Sequence, residues 1–325
     1  MVNGKKLVVS ASPHLRSKST TTGIMLDVVI ALIPAFIASI LIFGPRTISV
    51  TAVCIASAVL SEYLSRKVMK RHQTIGDLSA VVTGLILALN LPVSIPYWIA
   101  SIGSIVAIVV VKQFFGGIGQ NFANPAITAR IILLLSFGAQ MGNWVTPLSW
   151  RETVTTSATP LAVEYGSADA PSLIDMLLGL RGGTLGETCA LALIIGGIYL
   201  VVRKVISPII PLTYIGTVAV LMFIKGGADL GFVAYQVMGG GLLLGAIFMA
   251  TDYSTSPINT KGKIIFGIGC GLLTAVIRIF GAMTEGVSFA ILIMNLSVPY
   301  IERITTPKPF GTPKKEKKSK EEAKA

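Results

Sequence analysis

Apolar segments recur almost throughout this chain. Ten can be placed, at Ile24–Phe43, Ile48–Met69, Leu78–Leu91, Ile95–Phe115, Ala126–Ala139, Thr188–Val205, Ile209–Ile224, Phe232–Ala250, Ile264–Phe280 and Gly286–Ile301. A helix needs about 20 apolar residues to cross a bilayer, and an open strand cannot satisfy its backbone in lipid. The pattern therefore predicts an all-α integral membrane protein of about ten transmembrane helices.

Two segments are short. The third ends at Asn90-Leu91-Pro92 and the fifth begins at Asn124-Pro125. Interruptions of this kind predict broken or half helices that meet near mid-membrane, where freed backbone lines a site. A weak internal repeat relates Val81–Pro92 in the third segment to Gly240–Pro257 in the eighth, each an apolar run closed by polar residues and proline. Five spans per half is an odd number, so the halves would be inverted five-helix repeats with binding sites at their interface. The expected organisation is a cytoplasmic N-terminal segment (1–22), a first repeat (23–139), an extracytoplasmic loop (140–187), a second repeat (188–304) and a disordered basic tail (305–325).

Basic residues set the orientation. Lys5, Lys6, Arg16, Lys18, Arg66, Lys67, Lys70, Arg71, Lys112, Arg130, Arg203, Lys204, Lys261, Lys263 and the tail from Arg303 fall on one side, whereas Arg46, Arg151, Arg181 and Lys225 fall on the other. Both termini are therefore expected in the cytoplasm. Composition agrees with a lipid environment: 53% of residues are hydrophobic, 13% are charged and the mean hydropathy is +0.76, against roughly 25% charged in soluble domains. The net charge of +12 suits orientation and an anionic lipid surface rather than nucleic acid. Residues 1–22 lack the apolar core of a cleaved signal. Cys54, Cys189 and Cys270 each sit among apolar neighbours without CxxC spacing, and only His14 and His72 are present. That set predicts buried thiols and no metal centre within this chain.

The longest polar interval holds Arg151–Ala162, where Thr153, Thr155, Thr156, Ser157 and Thr159 crowd hydroxyls together. It reads either as a flexible loop or as a segment in which one hydroxyl accepts a cofactor. Gly116–Pro125 is glycine-rich, and its Asn121 and Asn124, three apart, place two amides on one face of a turn. Amides donate and accept, which suits a flat polar heterocycle. Asn124 also suits an N-cap ahead of Pro125. Asp252, beside Ser254 and Thr255, suits a polar ligand or an ion, and Asp27 and Asp77 lie at similar depth. Glu187 suits a helix start. Arg278 pairs with Glu285 or neutralises a phosphate on the outer side.

In order, Gly-Gly-x-Gly-x-Asn-x-x-Asn-Pro, Thr-Ser-Ala-Thr, Gly-x-Leu-Gly-Glu-Thr, Thr-Asp-Tyr-x-Thr-Ser-Pro-Ile-Asn and Glu-Gly-Val-Ser-Phe-Ala-Ile-Leu resemble the RnfD/NqrB family. Its members are membrane subunits of the Rnf ferredoxin:NAD oxidoreductase and of the sodium-pumping NADH:quinone reductase. The resemblance covers nearly the whole chain, and length and the short N-terminal extension look like the RnfD branch. It implies that a flavin transferase esterifies FMN to Thr159, within Thr156–Thr159. Here Ser157 replaces the family's usual glycine, and Thr153 stands where an acidic residue is expected, with Glu152 adjacent. It also implies a second, non-covalent, riboflavin-like flavin near Asn121 and Asn124, with Asp252, Thr255 and Arg278 as further binding candidates and no catalytic residue. Partners so implied are the other Rnf subunits (A, B, C, E and G), membrane lipid, and Na⁺ or H⁺ as the coupled ion. The location implied is the bacterial cytoplasmic membrane, with the Thr159 loop outside. Two other readings fit the same pattern: the B subunit of the NADH:quinone reductase, and a secondary transporter without a redox role.

Overall fold

The computed structural model describes residues 19–151, 158–163, 165–167, 170–281 and 286–307. The N-terminal segment before residue 19, the hydroxyl cluster from Thr153 to Ser157, Glu285 and the tail beyond residue 307 lie outside the described residues.

Among those residues the fold is all-helical, and ten apolar helical segments follow one another as the sequence predicts. They are α1 (Thr21–Phe43), α2 (Arg46–Val68), α3 (Ser79–Leu89), α4 (Tyr97–Gln113), α5 (Pro125–Ser136), α6 (Ala190–Val202), α7 (Ile209–Lys225), α8 (Leu230–Met238 and Leu242–Met249), α9 (Thr260–Phe280) and α10 (Val287–Thr305). The protein is a multi-pass membrane protein. Four helices, α1, α2, α9 and α10, are long and apolar enough to cross a bilayer unaided. The two pieces of α8 meet at 65°. The other five are shorter. Shortness thus extends beyond the third and fifth segments to α6, and the eighth is broken at Gly239–Gly241.

The two halves repeat. α2 packs on α4 as α7 packs on α9, and α1 lies against its counterpart α6. α1 runs from a first face, holding Thr21, to a second face, holding Phe43. α6 runs the other way, because its last turn meets the first turns of α1 through Arg203–Asp27 (3.3 Å) and Tyr199–Asp27 (2.9 Å). The halves are therefore inverted. The matched central pieces are α3 and the second piece of α8. Each follows a residue in the left-handed region, Leu78 (φ 62°) and Gly241 (φ 69°), and each is buried along nearly all its length. Helices apolar on every side belong at the centre of a bundle, and these two form the core.

The outer helices reverse the soluble pattern. α1 turns Leu26, Ile30, Ile33, Ile37 and Leu41 outward and buries Ala31, Ala35 and Ser39 along its middle together with Leu32 and, at its end, Ile42 and Phe43. Large apolar side chains gain nothing by leaving lipid, so small residues that let backbones approach take the contacts. A Cβ on Gly196 of α6 would overlap the Ala31 carbonyl oxygen, and one on Gly84 of α3 would lie 2.9 Å from Ile55 Cα.

Eleven residues make α3 about 16 Å long, roughly half the hydrocarbon thickness. Beyond Asn90 the chain continues without helix to Tyr97, in a setting with no water for its carbonyls. The segment before α6 supplies the donors: Gly186 N–H reaches Leu89 O (2.7 Å) and Leu185 N–H reaches Leu91 O (3.0 Å). Irregular backbone at membrane depth is tolerated because it is buried in protein.

Replacing Gly196 with Val should lower stability by about 1–3 kcal/mol through overpacking. Gly216→Ala in α7, where no atom lies within 4 Å of the new methyl, should be neutral or gain up to about 1 kcal/mol. Thermal unfolding of both variants in detergent checks the pair.

Candidate functional site

A cavity of about 110 Å³, open on one side, lies near the first face. Its apolar walls include Met25, Val28, Ile86, Ile206 and Phe248, and its polar atoms come from Ser79, Lys112, Asn121, Asn124, Asp252 and Ser254. Both halves contribute. The glycine-rich turn that carries Asn121 uses left-handed backbone at Gly116, Gly117 and Gly119. Asn121 is buried and donates from Nδ2 to Ala123 O (3.2 Å). Asn124 is more committed. Its Oδ1 accepts from Ala126 N (3.0 Å) and Ile127 N (3.3 Å), capping α5, while Nδ2 donates to Met249 O (3.2 Å) at the end of α8. The cap reading holds for Asn124, and it ties the halves together.

Asp252 lies just past α8 and accepts from Ser254 Oγ (3.0 Å) and Thr255 Oγ1 (3.1 Å). Burial pushes its carboxyl above the usual carboxylate range, and the hydroxyl donors pull it part of the way back. Thr255 is itself buried. The Asn295 amide on α10 donates to Thr255 O (3.0 Å) and accepts from Asn124 N (3.1 Å), clasping the two loops.

Behind the cavity sits a buried charged cluster. Lys112 Nζ contacts Glu62 Oε2 (3.0 Å) and Oε1 (3.1 Å) and donates to Ser79 Oγ (2.6 Å). Gln113 Nε2 (3.0 Å) and Thr74 Oγ1 (2.8 Å) also donate to Glu62 Oε1. Asp77, a sequence candidate, caps α3 by accepting from Ser79 N (2.8 Å) and Oγ (2.5 Å). Asp27 is spent on Arg203 and Tyr199.

Toward the second face lies Thr159. It is buried, 5% exposed, with extended backbone (φ −71°, ψ 154°) ahead of the single turn Pro160–Ala162. The segment that reads from sequence as a flexible polar loop is here packed against the bundle at Thr159–Ala162. Tyr235 donates to Pro160 O (2.6 Å), and Leu161 packs over Gly239 and Gly240, so the segment is pinned onto the break in α8. Arg278 reaches the same break. Its Nη1 donates to Gln236 O (2.6 Å) and its Nη2 to Gly239 O (3.0 Å), where the carbonyls ending a helix favour a cation. Its expected partner Glu285 lies outside the described residues.

Between the two regions, Arg130 Nη1 donates to Asn90 Oδ1 (3.2 Å) and Ser288 Oγ (3.1 Å). Arg130 does not join the face charges with which its position in the chain groups it. It lies instead within α5 and is buried, because Asn90 at the end of α3 offers it an acceptor inside the bundle. Arg181 is buried too, donating to the carbonyls of Glu187 (2.6 Å), Thr188 (3.2 Å) and Met238 (2.6 Å). Glu187 does not cap α6, which starts at Ala190. Its Oε1 folds back to Thr184 N–H (3.2 Å) and its Oε2 faces Gly241.

The profile of the NQR2, RnfD, RnfE family matches residues 8–311. The D subunit of the Na(+)-translocating ferredoxin:NAD(+) oxidoreductase complex of Acetobacterium woodii is 45% identical, over 98% of this chain and 100% of its own. The D subunit of the proton-translocating ferredoxin:NAD(+) oxidoreductase complex of Clostridium ljungdahlii is 39% identical over 94% of this chain and 96% of its own. The D subunit of the ion-translocating oxidoreductase complex of Stutzerimonas stutzeri is 37% identical over 90% and 93%.

The chain belongs to the NQR2, RnfD, RnfE family.

In this family member the sequence candidates divide into two groups. Asn121, Asn124 and Asp252 line the first-face cavity with Thr255 bonded to Asp252 behind it, and Arg278 and the segment that begins at Thr159 both reach the α8 break. The Glu62–Lys112 pair, Arg130, Arg181 and Asn295 are not site candidates in the sequence reading, and Asn90 figures there only as the end of a short segment. Their signal was present, since a charge or amide inside an apolar run is costly and marks a site by default.

Asn124→Ala should cost about 1–2 kcal/mol through loss of the α5 cap, whereas Asn121→Ala, which caps no helix and gives up one hydrogen bond, should cost about 0.5–1 kcal/mol. Unfolding midpoints of the two variants measured side by side check the contrast.

Proposed function

We propose that the chain is the membrane D subunit of an Rnf-type ferredoxin:NAD oxidoreductase, acting only within its complex. It relays electrons between FMN esterified to Thr159 and a second, non-covalent flavin at the first-face cavity. The complex couples this transfer to Na⁺ or H⁺ export across the bacterial cytoplasmic membrane. The relatives' names support the complex. The observation that carries the flavin reading is the placement of two polar sites at opposite ends of one central helix pair. The second piece of α8, about 12 Å of helix, runs from the Gly239–Gly241 break, where Arg278 donates to Gly239 O, to Met249 beside Asn124.

The lining suits a flavin in chemistry: apolar walls meet the ring faces, and Asn121 offers an amide to the imide edge. The enclosed volume is below the 300–1,000 Å³ of typical ligand pockets, so the ribityl chain would extend through the open side. A bound flavin supplies one- and two-electron redox chemistry; the chain's residues supply position and field. Arg278 lies close enough to the Thr159 segment to neutralise the ester phosphate. Because Thr159 is buried, the transferase acts before this segment docks, or when it lifts from Gly239 and Gly240. In this reading both termini face the cytoplasm and Thr159 faces outward; the basic residues at the first face, Lys67, Lys70, Arg71, Arg203 and Lys261, support that orientation.

Coexpressed with a flavin transferase and denatured, the chain should give a fluorescent gel band, and Thr159→Val should abolish it. A dark wild-type band would remove the covalent flavin and favour a secondary transporter.

A further inference from the structure

The first-face cavity contains one cation among its described lining residues, Lys112, and the bonding around it is unusual. Lys112 lies in the last turns of α4, where Val106–Gln113 widen into a π-helix. Such turns are rare and concentrate at functional sites. This one brings adjacent Lys112 and Gln113 to the same buried carboxylate, Glu62, which is 0% exposed. All three ammonium protons are engaged, two toward Glu62 and one toward Ser79 Oγ, so the charge is fixed in place. The other charges facing this group are Arg66, 3.8 Å from Glu62, Asp77 on Ser79, and Asp252 across the cavity.

Stability does not account for the pair. A buried ion pair adds little over well-packed apolar side chains of the same volume. Symmetry points the same way. In the second half the counterpart of α4 is α9, and its Arg278 reaches from the end of the fourth helix to the carbonyls of Gln236 and Gly239, which close the first piece of α8. Each repeat therefore places a cation at the junction that precedes its central piece, one beside the cavity and one at the break onto which Leu161 packs.

We propose that Lys112, restrained by Glu62, is a positioning residue that sets the reduction potential of the non-covalent flavin. This rests on the flavin reading of the cavity given above. Reduction places negative charge on the pyrimidine edge of the ring. A nearby ammonium favours the reduced form, and Glu62 offsets part of that field. Removing the ammonium should therefore lower the potential, and neutralising Glu62 should raise it.

The full chain carrying Thr159→Val, purified in detergent, retains only flavin that acid precipitation releases, and its absorbance can be titrated against potential. Lys112→Met should shift the reduced/oxidised ratio at a fixed potential by about tenfold toward oxidised, near 30 mV for a two-electron couple. Glu62→Gln should shift it by a similar factor toward reduced, and Lys112→Arg should stay near wild type. Loosened packing would move both neutralising variants in one direction, so shifts of the same sign, or none, with flavin still bound would overturn the role of Lys112 and leave the flavin reading standing. Where Lys112→Met does not hold flavin, the sign for Glu62→Gln decides. Release of no flavin from the parent chain would overturn both.

Discussion

Every peptide group inside the bilayer needs a partner within the protein, because hydrocarbon offers none. Most of the architecture follows from applying that requirement to helices too short to cross. α3 ends at Asn90 with its last carbonyls facing the interior. Gly186 and Leu185 answer with N–H groups from the segment before α6, which forces that segment to dive into the bundle rather than lie on its surface. Gly186 is required at the contact, since a Cβ there would stand 3.0 Å from the Leu89 carbonyl oxygen. The break in α8 raises the same problem. Arg181 and Arg278 solve it by donating to Met238 and Gly239.

Satisfying interrupted backbone in this way leaves charge in the interior, and charge in the interior must itself be held. Arg130 is held by Asn90 and Ser288, Arg181 by carbonyls, and Lys112 by Glu62 and Ser79. The resulting network follows the crossing of the half-helices. Elsewhere α1 meets α6 through small residues, and large aliphatic side chains face outward. Polar chemistry and broken helices coincide because each needs the other: a carbonyl freed from a helix can accept from a cation, and a buried cation can stay only beside such an acceptor.

The helices were legible in the sequence because lipid imposes a coarse requirement, an apolar run, that does not depend on which neighbours a helix meets. Asn124-Pro125 was legible as a cap because capping is local, and the cap is present. Glu187 was misread for the complementary reason. Its place immediately before the apolar segment that opens at Thr188 suggests a helix-start acid, but the helix begins only at Ala190 and the side chain folds back to accept from Thr184 N–H in a turn that packs against the end of α3. Arg130 was counted as a face charge because counting by sequence cannot see that Asn90, forty residues earlier, waits at the same depth. Thr159 reads from sequence as part of a polar loop outside the membrane because the interval that holds it is polar and basic residues are few on that side. What buries it is Leu161 over Gly239 and Gly240 together with the Tyr235–Pro160 hydrogen bond, both contacts to a helix more than seventy residues away.

Inversion of the two halves gives the arrangement its direction. A repeat duplicated in the same orientation would put both central breaks at one depth. Inverted, the starts of α3 and of the second piece of α8 lie toward opposite faces, each with its own cation, Lys112 or Arg278. Met249 and Asn90 then meet in the middle, where the Asn90 amide lies 3.6 Å from the Met249 sulfur and also holds Arg130. Polar groups therefore gather toward each end while a file of buried side chains joins them. The bundle so built separates two polar regions by packed, dry protein, with Lys112 held at one and Arg278 at the other.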